Sequence, residues 1–118
     1  MSSISFLRST FVNLDATPVS EFPNCNVALG SSLGIRSDYR FVLNNGEAGN
    51  VFARVYVEYP DLSRHEIISG WNYIDTSMDF SFYMASKNDN TQIVATEGTY
   101  EIFYNELIDS YGNVLAEG

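Results

Sequence analysis

The amino-acid sequence predicts an all-β chain, folded as an antiparallel two-sheet β-sandwich of about seven strands within one domain, residues 1–118. Three observations carry this expectation. Apolar and polar residues alternate with a period of two over several stretches, turn-forming residues punctuate the chain, and no segment sustains the i, i+3, i+4, i+7 apolar spacing of a helix. Periodicity alone does not separate a sandwich from a barrel of similar strand count.

Taken along the chain, residues 11–14 and 27–29 are short apolar stretches on either side of a segment that holds Pro18 and Pro23, which reads as an irregular loop or crossover. Tyr39, Phe41 and Leu43 then alternate with Arg40 and Val42, and the run stops at Asn44-Asn45-Gly46, a tight-turn signal. In residues 51–59, Val51, Ala53, Val55, Val57 and Tyr59 share one face, against Phe52, Arg54, Tyr56 and Glu58 on the other. Residues 65–69 and 92–96 are short β-branched stretches, and between them Phe80, Phe82 and Met84 oppose Asp79, Ser81 and Tyr83. Residues 99–108 place Tyr100, Ile102, Tyr104 and Ile108 inward, with Glu106 interrupting that set. Ser110-Tyr111-Gly112-Asn113 then reads as a hairpin turn in which Gly112 and Asn113 take positive φ, leading to a last strand at 114–117.

The charge excludes whole classes of partner. Fifteen acidic residues against six basic ones give a formal net charge of −9, which disfavours nucleic acid and anionic membrane surfaces. Nearly all of that charge belongs to residues 65–118, whose carboxylates are expected to form one folded negative face. Cys25 is the sole cysteine, so packing rather than an intramolecular disulfide must hold the fold. The N-terminus shows neither a basic n-region nor an apolar h-region, so no signal peptide is read there. The expectation is a protein made in the cytoplasm and associated with a virion.

The C-terminal third holds more specific residues. Gly98-Thr99-Tyr100-Glu101-Ile102 is similar to the Gly-x-Tyr entry of the penultimate strand in immunoglobulin-like sandwiches. That resemblance implies a corner tyrosine at Tyr100 and a core position at Ile102. Tyr104 followed by Asp109-Ser110-Tyr111-Gly112-Asn113 resembles the ending of bacterial Ig-like domains, and 41–48 followed by 51–59 resembles the adhesion-related CARDB domains. Modules of these kinds imply binding rather than catalysis, and stand-alone copies point to phage tail, decoration or accessory proteins.

Chemistry-bearing motifs are sparse. One histidine, His65, supports neither a multi-His zinc site nor a local Cys-His pair, and no phosphate-binding loop or nucleophile elbow is present. Asp75 with Asp79, and Glu101 with Glu106, are the carboxylate pairs that glycoside hydrolysis would need, but fifteen acids produce close pairs by chance and solvated strand edges and loops are the favoured reading. No cofactor is implied. Calcium is the one cation considered, with Asp75, Asp79, Asp89, Asn90, Asp109 and Asn113 as oxygen ligands in loops or at strand ends.

The candidate interaction surface comprises Trp71, Tyr73, Glu101, Glu106 and Tyr111. Of Trp71 and Tyr73, one is exposed if the other packs inward, a buried Trp71 capping the sandwich end being the favoured reading, and Tyr111 is expected exposed at a turn tip. The leading functional expectation is a non-enzymatic structural or protein–protein interaction module, self-associating through strand edges and aromatics, in a phage virion or accessory role. The alternatives are an acidic phage inhibitor that occupies a basic site on a host defence protein, and a carbohydrate-binding or adhesion module.

Overall fold

A computed structural model describes residues 3–12, 18–21, 24–27, 32–44, 47–84, 93–94 and 97–118. The calcium candidates Asp89 and Asn90 and the turn residues Asn45 and Gly46 lie outside the described residues. Eleven strands are described: β1 (Ser3–Val12), β2 (Pro18–Glu21), β3 (Asn24–Val27), β4 (Ser32–Val42), β5 (Gly49–Glu58), β6 (Arg64–Ile68), β7 (Asn72–Ile74), β8 (Met78–Met84), β9 (Ile93–Val94), β10 (Gly98–Asp109) and β11 (Val114–Glu117). The count exceeds seven because several edge positions are each filled by two short strands.

The first sheet runs β2-β1-β4-β8, with β9 continuing beside β4, and the second runs β11-β10-β5-β6, with β3 on β10 and β7 on β5. Every pairing is antiparallel. The chain crosses between sheets after β2, β3, β4, β7 and β9, so sequence neighbours often lie in opposite sheets, as in immunoglobulin-like sandwiches. The chain does cross between the sheets after β2, but where an irregular segment was expected the described residues form one short strand in each sheet, and Pro23 lies outside the described residues.

The core lies between the sheets. Phe11, Leu33, Ile35, Tyr39, Phe41, Phe82 and Met84 come from the first, and Val51, Ala53, Val55, Val57, Ile67, Ile74, Tyr100, Ile102 and Leu107 from the second. The odd-numbered residues of β5 alternate inward without interruption, which is why that strand is legible in the sequence. Aromatic rings fill the first sheet's side: Tyr39 meets Phe6 and Phe82 edge-on, at centroid distances of 5.5 and 5.9 Å.

Two strands depart from the expected pattern, each at a β-bulge. In β1 the register with β4 shifts between Phe6 and Arg8, so Leu7 is an extra residue and the alternation resets. In β10 the register with β5 shifts between Ile102 and Tyr104, which leaves Phe103 extra. Tyr100 and Ile102 are buried as expected, but beyond the bulge it is Asn105 and Leu107 that face the core. Tyr104, expected inside, instead shares the outer face with Tyr56, and Ile108 is buried as expected although it lies in register with Phe52. At the β10–β11 turn Gly112 has φ 84°, whereas Asn113 is not among the positive-φ residues.

Polar groups are built into this interior. The Ser9 hydroxyl donates to Asn105 Oδ1 at 2.5 Å, joining the two sheets. The Tyr39 hydroxyl is buried with no hydrogen-bond partner among the described residues, and burial raises its pKa above the ordinary phenol value. Because an unmade buried hydrogen bond is destabilising, Tyr39→Phe should raise stability by about 1 kcal/mol in chemical denaturation. A loss of that size would mean that the hydroxyl is satisfied in solution.

The fold also carries depressed carboxylates. The Arg40 guanidinium, bound to Asp79 at 2.8 and 3.0 Å, holds the Asp79 carboxyl below its ordinary 3.8. Hydrogen bonds from Asn113 and Tyr111 do the same for Asp109. A folded-state pKa below the unfolded one contributes stability that is present above the unfolded value and lost as pH falls through the folded one. The denaturation midpoint should therefore stay level down to about pH 5 and drop below about pH 4. Asp79→Asn and Asp109→Asn should flatten that drop.

Candidate functional site

The outer faces of the two sheets differ in chemistry. On the first sheet the register places Arg8, Asp38 and Ser81 in one row across β1, β4 and β8. Asp38 accepts from Arg8 at 2.5 Å and from Ser81 at 2.7 Å, and pairs with Arg36 at 3.2 Å. Arg40 and Asp79 form the adjoining pair. Three arginines thus face two aspartates, and each aspartate is held.

The outer face of the second sheet is built in rows, because antiparallel partners put their side chains on the same side. Glu101, Glu58 and Arg64 form the first row, and Tyr104, Tyr56 and Glu66 the second. Glu117, Glu106, Arg54 and Ile68 form the third, and Val114, Ile108 and Phe52 the fourth. Trp71 extends the fourth row by packing edge-on against Phe52, with centroids 4.7 Å apart. Asn50 and Tyr73 close the series.

Rings and guanidinium groups interleave on this face. Tyr56 stacks on Tyr104 at 5.8 Å and lies 6.0 Å from Phe103. The Arg64 guanidinium sits 4.3 Å from the Phe103 centroid, and that of Arg54 lies 5.7 Å from Tyr56. Tyr104 donates its hydroxyl hydrogen to Glu117, and this bond is the largest of the influences that push the phenol up to about 12. The ring patch stays open to solvent: Trp71 is 56% exposed, Tyr73 63% and Phe103 38%.

The structure thus brings Trp71 and Tyr73 together on one face, both outside, because Ile74 and not either ring turns into the core. Glu101 lies on the same face at its opposite end and is exposed. Glu106 corrects the expectation of a surface acid. Its side chain is only 6% exposed and is bonded to Arg54, so it is a buried partner within the face rather than a contact residue. Tyr111, 87% exposed, stands apart at the β10–β11 turn, beside an apolar cleft of about 240 Å³ between the sheets lined by Ile4, Phe41, Leu43, Val51, Ile74 and Leu115. The expected single negative face is also corrected. Glu66, Glu101, Glu106 and Glu117 do gather on the second sheet, but Asp79 lies on the first and Asp109 caps a turn.

Sequence reasoning missed Phe52, Tyr56 and Phe103 as members of a patch. The signal was present in β5, where even-numbered outward positions carry rings, while the Phe103 bulge concealed the rest.

Asp61, Ser63 and His65 lie in a chain, with Ser63 Oγ 2.5 Å from Asp61 Oδ1 and 2.7 Å from His65 Nε2. The serine stands between the other two, whereas nucleophile activation needs the histidine between serine and aspartate. Of the calcium candidates, Asp79 is bonded to Arg40 and Asp109 to its own turn. Among the described residues no group of three or more His, Cys, Asp or Glu side chains is placed to hold a metal ion.

No protein-family model matches the chain, and no curated protein does. Among solved structures it is similar to part of Bacteroides uniformis beta-glucuronidase 2, determined covalently bound to cyclophellitol-6-carboxylate aziridine. The TM-score is 0.59 at 11% identity, and the match covers 98% of this chain and 14% of that one. The chain therefore spans about one-seventh of that protein's length, and the likeness is one of fold.

The Arg54–Glu106 pair tests the structural reading of Glu106. Arg54→Met leaves a buried carboxylate unpaired and should cost about 3 kcal/mol, and adding Glu106→Leu should restore most of it. Calorimetric unfolding of both variants checks this, and equal stability of the single variant and wild type would contradict it.

Proposed function

We propose that the chain is a non-enzymatic protein-binding module whose recognition surface is the outer face of its second sheet. The observation that supports this reading is the patch of exposed Trp71, Tyr73 and Phe103, continued by half-buried Phe52 and Tyr56, carried on paired strands and bordered by carboxylates. Rigid aromatic side chains bury large areas at little entropic cost and dominate binding energies when a partner covers them. The phage virion or accessory role belongs to the same proposal and draws on the resemblance to bacterial Ig-like modules. A non-catalytic role is consistent with the reversed Asp61-Ser63-His65 order and with the occupied state of Asp79 and Glu106.

Wild-type protein and the Trp71→Ala/Tyr73→Ala variant, each immobilised, should be compared for retention of proteins from the source cell or virion. Wild type should retain a defined partner, and the variant, folded by circular dichroism, should lose at least about tenfold in affinity for it. Equal retention would refute the proposal. Retention of glycans instead of protein, abolished by Trp71→Ala, would move the reading to a carbohydrate-binding module. Hydrolysis of a glucuronide by the purified chain would refute a non-enzymatic role.

A further inference from the structure

The same face also specifies the chemistry of what binds it, and this step rests on the proposed function above. We infer that its partner is a cationic protein segment in which arginine or lysine side chains alternate with apolar ones, and not a second copy of this chain. Five glutamates occupy the face against two arginines. Arg54 is committed to Glu106 and Arg64 to Glu58, so both cations are used internally. Glu66, Glu101 and Glu117 form no ion pair among the described residues and are exposed.

The rings supply the second half of the complementarity. Arg64 over Phe103 and Arg54 beside Tyr56 show that this face already seats guanidinium groups on its aromatics. An incoming arginine meets the same environment at Trp71 or at Tyr104, the latter with the Glu117 carboxylate bound to its hydroxyl. Spacing fits as well. The Glu101–Glu58 and Glu117–Glu106 rows alternate with the Tyr104–Tyr56 and Ile108–Phe52 rows every two residues along the strands, roughly 7 Å apart. Side chains on one face of an extended partner recur at that same interval, so a cation at one position and an apolar group two residues on meet an acidic row and a ring row together. Two copies of this chain meeting through the face would instead bring together two surfaces that each carry five glutamates against two arginines, which opposes pairing.

Trp71 is the single tryptophan and therefore a direct fluorescence reporter of occupancy. The full chain should be titrated with a synthetic peptide that alternates Arg and Leu on one face of an extended strand with Thr between them, and with a control carrying Glu in place of Arg. The Arg–Leu peptide should change Trp71 emission saturably. Its affinity should fall at least about tenfold between about 0.05 and about 0.5 M salt, and by a similar factor in Glu66→Gln/Glu101→Gln/Glu117→Gln. Equal binding of the Glu control, absence of saturable binding by the Arg–Leu peptide, or full affinity in the triple variant would overturn the inference. So would a concentration-dependent dimer, seen in sedimentation, that Trp71→Ala dissolves. The two proposals fail separately. If the triple variant retains the natural partner while Trp71→Ala loses it, only the cationic assignment falls; if Trp71→Ala retains it, the recognition face itself is wrong.

Discussion

The extra residue at Phe103 is the constraint on which both the interior and the surface depend. Strand β10 pairs with β5 along most of its length, and with β3 and then β11 on its other side, so any change in its phase is transmitted across the second sheet. Before the bulge Tyr100 and Ile102 point inward, and after it Asn105 and Leu107 do. Without the extra residue, Tyr104 and Glu106 would be driven between the sheets and Asn105 to the outside, because a one-residue slip exchanges the faces of a strand. A glutamate facing an apolar core costs several kcal/mol unless it is paired. The bulge instead places Glu106 opposite Arg54, stacks Tyr104 on Tyr56 and leaves Phe103 beneath the Arg64 guanidinium.

Asn105 is the internal counterpart of that arrangement. It is fully buried, accepts from Ser9 of the opposite sheet, and exchanges backbone hydrogen bonds with Gly118 at 2.8 and 2.9 Å. One residue thereby ties together β1, β10 and the segment that follows β11. A buried polar contact of this kind adds little net stability, since each group gives up water to form it, but it penalises any register that leaves either partner unmet. Ser9 and Ser37 are cross-strand partners in the first sheet, so a polar spot faces Asn105 where the rest of the layer is aromatic or aliphatic.

Those same polar positions explain how much of the fold could be read from the sequence. Strand β5 and the Phe80–Met84 part of β8 obey strict alternation, and their buried faces follow directly from their residues. Strands β1 and β4 are longer than their periodicity suggests, since Ser9 and Ser37 occupy inward positions and Leu7 is a bulge residue. Strand β7 has three residues, too few for a period to register. For the candidate site, Trp71 and Tyr73 stand out in the sequence because they fit no core pattern, whereas Glu106 reads as a surface acid because its partner Arg54 lies fifty-two residues away. Only the pairing of β5 with β10 joins them, and periodicity within a strand carries no information about which strand lies beside it.

The unequal outer faces have a further consequence at a distance. Among the described residues, three arginines and two aspartates face one way, and five glutamates with two arginines the other, so the sandwich carries a dipole across its thickness. In ~0.1 M salt the field of exposed charges persists for about 10 Å, roughly the spacing between packed sheets. A molecule approaching a positively charged body is thereby turned ring-side first before contact. On a cationic resin or sensor surface it would settle in the same orientation, hiding Trp71 and Tyr73 against the support, so attachment through the first sheet is the geometry that keeps those rings accessible.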